Sequence, residues 1–310
     1  CGPWRPNTSE AMRILTFNVQ NLRLRHPEGR ERLDGARDGD EVQDPLDYAD
    51  RRLTAQVLAE ADAEICALQE VFDRETLDYF HDHLLRGAGA APWPWRACLE
   101  GNDGGGRDLA VMARQPFTAE SHARLLPADL GMATYPGTRA DLPLFSRDLL
   151  VADIGPLTLI VVHFKAPWPD AEAARIRRRI EAEATRRLIE RRFSDPASAF
   201  WLVLGDLNDP RADRDRAVAP LLAPFGVDLV ERMAEDQRWT WWHGEGGRGC
   251  PDGMIASPAL AARFPEAVPR AIRAGLPRAA GGTQPRLQDV GAARPRASDH
   301  AALVLDLPGI

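Results

Sequence analysis

Apolar residues in this chain gather in short runs, and the period inside each run predicts an element. Arg13 to Val19 (RILTFNV) is a buried strand closed by the polar pair Gln20 and Asn21. Residues 22–50 are charged, glycine-bearing and weakly periodic, the pattern of a long surface loop. Leu53, Val57, Leu58 and Ala61 then recur at helical spacing behind Asp50, a candidate N-cap. Ile65 to Val71 (ICALQEV) and Leu109 to Ala113 (LAVMA) are further strands. Leu149 to Ile154 and Leu157 to Phe164 flank Gly155-Pro156 and predict a hairpin. From Ala171 to Phe193 a helix carries Ile176, Ile180, Ala184 and Leu188 four residues apart. Trp201 to Leu204 is a buried strand ending at Gly205, and Met254 to Ala256 and Ala301 to Leu307 complete the set. Residues 265–297, rich in Pro, Gly and Arg, read as irregular. Strands continue on both sides of every loop, so residues 1–310 read as a single α/β domain, with 1–11 a disordered N-terminal extension.

Composition narrows the class. With 310 residues, 44% hydrophobic and 27% charged, the chain is neither collagen-like, disordered nor dependent on disulfides for a core. Its formal charge of −7 means that any attraction for phosphates is local or carried by bound cations. Basic residues are almost all arginine, Lys165 being the only lysine. Cys1, Cys66, Cys98 and Cys250 show no CxxC or Cys/His spacing, which argues against a zinc site. A Cys98–Cys250 disulfide stays open on spacing alone. No stretch is long enough to span a membrane, and no apolar signal core precedes the first strand. A soluble, cytoplasmic protein is favoured, with secretion or lipidation at Cys1 as alternatives.

The chemistry gathers where apolar runs stop. Asn18 lies near the end of the first strand, Glu70 closes ICALQE, and His163 ends LIVVH. Asp206 and Asn208 follow WLVLG, Asp252 precedes MIAS, and Asp299-His300 stands before the last strand. A strand end lets a rigid sheet aim a polar side chain into a cleft without burying unpaired polarity. Carboxylates with an amide are hard oxygen donors, suited to Mg²⁺, Mn²⁺ or Ca²⁺. Any one of these residues alone also reads as a turn former or a cap; their joint order carries the argument.

In that order, TFNVQNL, ALQEV, VVHFK, LGDLND, PDGMIAS and ASDHAAL make the whole chain resemble the endonuclease/exonuclease/phosphatase superfamily, of the deoxyribonuclease I-like kind. The resemblance implies a four-layer α/β sandwich, two mostly antiparallel sheets with outer helices. It implies a metal-dependent phosphodiester hydrolase, most simply a nuclease acting on DNA or RNA, with Mg²⁺ or Mn²⁺ (Ca²⁺ as a third option) as cofactor. A phosphatase or phospholipid phosphodiesterase, and an inactive binding module, are the rival readings. Glu70 would hold the cation with Asn18 and Asp299. Asp206 would orient or deprotonate the attacking water, Asn208 would donate to the phosphate, and His300, set by Asp252, would contact the phosphate or relay a proton. His163 resembles the family's second histidine. With less support, Arg147 would meet a substrate phosphate or equally form a surface ion pair, Asp108 would partner His163 or, somewhat in preference, serve as a strand-start turn residue, and Lys165, on a continuing strand, would approach a phosphate or be solvated.

Three further features are read from the residues. The arginines between Arg175 and Arg192 have glutamates at i,i+4, as in Glu183–Arg187, and read as a self-paired solvated face. Arg263, Arg270, Arg273, Arg278, Arg286, Arg294 and Arg296 either line the cleft or decorate a surface loop. Trp239, Trp241 and Trp242 are expected to alternate, with Trp239 and Trp241 on one face, and at least two of them in the core.

Overall fold

A computed structural model describes residues 11–26, 29–37, 43–133, 139–244 and 247–310. Residues 1–10 of the expected N-terminal extension lie outside them, and Ala11 already belongs to the first strand. Two six-stranded sheets carry the architecture. The first runs, in spatial order, β15 (Arg270–Ile272), β16 (Ala302–Pro308), β1 (Ala11–Leu22), β4 (Ile65–Val71), β6 (Asp108–Ala113) and β5 (Trp95–Leu99). The second runs β11 (Val227–Asp228), β14 (Asp252–Ala256), β10 (Trp201–Asp206), β9 (Leu157–His163), β8 (Leu149–Ile154) and β7 (Thr118–Ser121). Each sheet has one parallel pair, β1–β4 and β9–β10, and is otherwise antiparallel. The parallel pairs are where a helix crosses over: α1 (Asp44–Ala61) joins β1 to β4, and α3 (Ala171–Arg192) joins β9 to β10. The short helices α2 (Arg74–Tyr79) and α4 (Pro258–Arg263) and the ribbons β2–β3 (Leu24–Arg25, Arg32–Leu33) and β12–β13 (Trp241–Trp242, Arg248–Gly249) complete the described elements.

The period of two in the strands sorts side chains into layers. Ile14, Ile65 and Ala67 of the first sheet meet Leu159, Val161, Leu202, Leu204 and Met254 of the second. Leu15, Phe17, Cys66 and Leu68 turn outward under Leu53, Val57 and Leu58 of α1. Ile160, Val162, Trp201, Val203 and Ile255 turn outward under Ile180, Ala184 and Ile189 of α3. The result is helix, sheet, sheet, helix, the four-layer sandwich expected.

Several boundaries differ from the sequence reading, for physical reasons. The 22–50 loop contains the β2–β3 ribbon and the first turns of α1, which starts at Asp44 with Pro45 in its first turn and acidic Asp44 and Asp47 favouring the N-terminal dipole. Asp50 is therefore not an N-cap but a fully buried helix residue, bonded to Arg294 and to the Ala36 and Arg296 amides. Strand β10 runs through Gly205 to Asp206, and β9 stops at His163. Cys66, Cys98 and Cys250 are free thiols, so the Cys98–Cys250 disulfide is absent; Cys98 sits on β5 with its thiol toward the Val71 carbonyl.

Gly205 shows why β10 can pass the site so closely. Its φ is +141°, and a Cβ there would collide with the Val162 carbonyl on β9. Gly205→Ala is expected to cost about 2–6 kcal/mol, combining backbone strain with overpacking. A urea unfolding midpoint unchanged from wild type would contradict this.

Candidate active site

The same period of two that builds the core aims the site. Asn18 on β1, His163 on β9, Asp206 on β10 and Asp252 on β14 all have the parity that faces the opposite sheet, and each lies where apolar residues give out. Glu70 has the wrong parity, because Cys66 and Leu68 face the helix side. The pairing of β4 shifts register between Gln69 and Val71, and Glu70 takes φ +66° there. This bulge turns its carboxylate back toward the cleft. Gln20 (φ +51°) and Asn21 (φ +54°) make a matching kink at the end of β1. Buried Arg51 holds that kink by donating to the Val19 and Gln20 carbonyls.

These ends open on a cavity of about 360 Å³ lined by Asn18, Glu70, His163, Asp206, Asn208, Asp299 and His300, with Arg147 at its side. Asn18 ties the two halves together: its Nδ2 donates to Glu70 Oε1 (3.2 Å) and to Asp206 Oδ2 (3.1 Å). The Asn21 amide donates to Glu70 Oε2 (2.9 Å). Asn208, at φ +49°, donates its backbone N–H to Asp206 Oδ1 (2.9 Å) and one side-chain N–H to the Phe164 carbonyl (3.1 Å). His163 Nε2 lies 3.3 Å and His300 Nε2 3.8 Å from Asp206 Oδ2. His300 Nδ1 is 2.9 Å from Asp252 Oδ2, which also accepts from the Thr240 hydroxyl (2.6 Å). Asp299 accepts from Trp241 Nε1 (3.3 Å), while its own amide donates to Gln20 Oε1 (3.1 Å).

The two imidazoles are held differently. Burial works against charge on His300, but the Asp252 carboxylate, with Asp206 and Asp299, raises its pKa well above the usual histidine value. That shift favours the charged form, and Nε2 faces Asp206 Oδ2 at 3.8 Å. Among the described residues His163 has no carboxylate behind it, and its Nδ1 is buried without a partner. Its Nε2 faces a carboxylate and therefore carries the hydrogen. Burial alone would raise Asp206, but His163, the charge of His300 and the Asn208 N–H outweigh it and hold the carboxyl well below the usual range. Asp252→Asn removes the main support of the His300 charge. The alkaline limb of the kcat/KM profile is therefore expected to move to lower pH, because the proton leaves His300 more readily; an unmoved limb would contradict this reading.

Of the site roles weighed for Asp108, Lys165 and the loop arginines, the geometry supports none. Asp108, at the start of β6, accepts from the Gly101 amide (2.9 Å) and makes no pair with His163, whose Nδ1 stays unpartnered; burial pushes its carboxyl up to about 6. Lys165 does not lie on a continuing strand: β9 ends at His163, and the Lys165 amide and carbonyl are clamped by Glu181 and Arg178 of α3, leaving the residue outside the cavity lining. The loop arginines do not line the cleft either. Arg273 donates to Gln237 and Trp239 carbonyls, Arg278 to Val290 and Gln288, Arg286 to Gln284, and Arg294 pairs with Asp47 and Asp50. A segment without ladder hydrogen bonds must satisfy its carbonyls, and the guanidinium forks do this. Arg296 comes nearest to a site role, donating to Oε1 of the lining residue Gln20 (3.2 Å).

Arg147 is at the cavity wall, paired with Asp103 (3.2 Å) and donating to the Phe164 carbonyl (2.9 Å). Self-pairing on α3 holds for Arg175–Glu172, Arg187–Glu183 and Arg186–Glu190, whereas Arg178 is buried and Arg177, Arg179, Arg191 and Arg192 bond to neighbouring segments. Trp239 and Trp242 pack toward the core while Trp241 lines the cavity; β12 is only two residues long, so the expected alternation does not extend to Trp239. Gln20, Thr240 and Ser298 also hold site residues by hydrogen bonds; Gln20 and Ser298 lie within TFNVQNL and ASDHAAL with no role assigned to them there, and Thr240 reads as an ordinary polar residue.

The family model described as the Endonuclease/Exonuclease/phosphatase family matches residues 15–300. The chain belongs to this family. Endonuclease/exonuclease/phosphatase members are hydrolases acting on phosphate ester bonds, and so is this chain. Among solved structures, an endonuclease/exonuclease/phosphatase family protein from Leptotrichia buccalis C-1013-b is 15% identical at TM-score 0.59, covering 96% of this chain and 99% of that one. D. rerio TDP2 complexed with single strand DNA product is 19% identical at TM-score 0.56, covering 96% and 98%. Truncated Caenorhabditis elegans TDP2 is 15% identical at TM-score 0.57, covering 96% and 97%. At these identities the likeness is one of fold. No curated protein matches the chain. Among the described residues, no helix is long and apolar enough to cross a membrane.

The family generally depends on a divalent metal. Among the described residues no three or more His, Cys, Asp or Glu are gathered as a cation cage. The donor set nonetheless fits a hard cation that keeps most of its waters: two carboxylates, Glu70 and Asp299, face one cavity, and Asn18 beside them would contribute through Oδ1, which accepts from the Gln20 amide. Enclosure raises the Asp299 carboxyl, and the charge of Glu70 adds to this against the pull of His300 and Arg296. A cation beside the Asp299 carboxylate would offset that enclosure.

Proposed function

We propose that this chain is a magnesium- or manganese-dependent nuclease that hydrolyses phosphodiester bonds by attack of water. The observation that carries the reading is the convergence of Asp206, Asn208, His300, Glu70 and Asp299 on one open cavity. Asn18 bridges Glu70 and Asp206. The likeness to a TDP2 complexed with single strand DNA product supports a polynucleotide as substrate.

A phosphodiester is protected from water by its own negative charge, so the site must neutralise oxygens, orient a nucleophile and protonate a leaving group. A cation held by Glu70, Asp299 and Asn18 supplies Lewis-acid neutralisation when bound. Asp206, kept ionised, accepts a hydrogen bond from the attacking water and takes its proton as the bond to phosphorus forms. Asn208 has one side-chain N–H committed to the Phe164 carbonyl and directs the second to a non-bridging oxygen. His300, kept cationic by Asp252, donates to the phosphate and returns a proton to the departing oxygen. His163 donates to Asp206 and fixes its carboxylate plane. Arg147 and its guanidinium fork stand at the wall where a flanking phosphate passes.

The test is a substrate panel with and without chelator: single- and double-stranded DNA, RNA, inositol phosphates and sphingomyelin. Cleavage of a polynucleotide, lost in EDTA, is the expected result. Turnover of a headgroup substrate with no polynucleotide cleavage would replace the nuclease reading with a phosphatase or phospholipase one. Ligand binding without turnover would make the chain a binding module.

A further inference from the structure

Trp168 is the most exposed large apolar side chain among the described residues, at 75%. It does not stand on a random stretch of surface: with Ala166 and Pro167 it lines the catalytic cavity. The segment that carries it joins β9 to α3 and is fixed at both ends. Phe164 is bonded to Asp206 through its amide (2.9 Å), and its carbonyl accepts from Arg147 and Asn208. Lys165 is clamped to Glu181 and Arg178, and Asp170 caps α3 by accepting from the Ala173 amide. The indole is thus presented on a short bridge whose roots are the catalytic strand end itself. Trp241 and Pro251 also line the cavity, so apolar side chains and the charged site residues share one lining. A ligand that matches has a phosphate beside a flat, apolar group.

We propose that Trp168 is a stacking platform for the nucleobase adjoining the scissile phosphate, so that the enzyme selects nucleotides that keep their base at that position. The inference rests on the nuclease reading and deepens it. A π face accepts any base, which makes the contact tolerant of sequence but intolerant of an abasic position. The contact is made equally before and during reaction, so it contributes to KM rather than to kcat.

The experiment compares wild type, Trp168→Ala and Trp168→Phe on a labelled single-stranded oligonucleotide and on a set with one abasic residue at each position around the cleaved phosphate. Trp168→Ala is expected to raise KM about 10-fold on the intact strand, with the loss largely restored in Trp168→Phe. At one abasic position the wild type is expected to show the same rise, and Trp168→Ala no further one. Equal losses from Trp168→Ala on every substrate, abasic or intact, would overturn the stacking role while leaving the nuclease reading in place. A wild-type enzyme that cleaves none of the strands would overturn both.

Discussion

Asp206→Asn is expected to lower kcat for phosphodiester cleavage by about 10³-fold or more, the loss that follows when a group acting on the nucleophile and its partners is removed. The magnitude follows from the number of roles converging on one carboxylate. Its two oxygens accept from the Asn208 amide and from Asn18, and both imidazoles face it. The amide keeps size and one acceptor oxygen but neither takes a proton nor holds two N–H donors on a single charged atom. Far-ultraviolet dichroism and the hydrodynamic volume should stay those of the wild type, since the strand pairing of β10 uses backbone groups alone. The measurement is the single-turnover rate at saturating divalent cation. A variant retaining more than about a tenth of wild-type activity would remove Asp206 from the chemistry.

Glu70→Gln is expected to weaken Mn²⁺ binding by about 10–100-fold, and turnover with it at limiting metal. Glutamine keeps the acceptor for Asn18 Nδ2 but places an amide nitrogen, itself a donor, where the Asn21 N–H donates and where charge is needed. Part of the lost activity should return as Mn²⁺ is raised, which separates a metal-holding role from a catalytic one. Calorimetric titration of the two proteins reads the shift directly. Equal affinities would assign the cation elsewhere.

The apolar runs make the strands readable because a strand buried between a sheet and a helix layer has apolar residues on both faces, as in RILTF and LVL. The polar strand ends are readable for the complementary reason: an unpaired Asp or His is tolerated only where the core stops. Parity then places Asn18, His163, Asp206 and Asp252 on a common face, a deduction open to the sequence once the strands are known. Glu70 is not accessible in that way. Its position depends on a one-residue bulge with left-handed backbone, and nothing in ALQEV marks the bulge.

What the sequence hides has mostly one origin, long-range pairing. Asp50 looks like a cap until Arg294, 244 residues away in the chain, is folded against it. The arginines of 263–297 read equally as a phosphate-binding lining or a surface loop until folding pairs them, Arg278 and Arg286 with carbonyls of their own segment, Arg273 with the Gln237 and Trp239 carbonyls, and Arg294 with Asp47 and Asp50. Asp108 and Lys165 resemble strand-end residues aimed at the cleft, whereas a loop amide and helix α3 hold them. Trp168 is invisible because a single tryptophan in a polar loop has no period; its exposure beside the cavity gives it meaning.

Metal-assisted attack at Asp206 is tested most directly by the cleavage of a labelled single-stranded oligonucleotide by metal-stripped protein, before and after Mg²⁺ is returned, run beside Asp206→Asn. The expected result is no cleavage without metal, restoration on addition of Mg²⁺, and no restoration in the variant. Cleavage that persists in chelator, or a variant as active as the wild type, would contradict it.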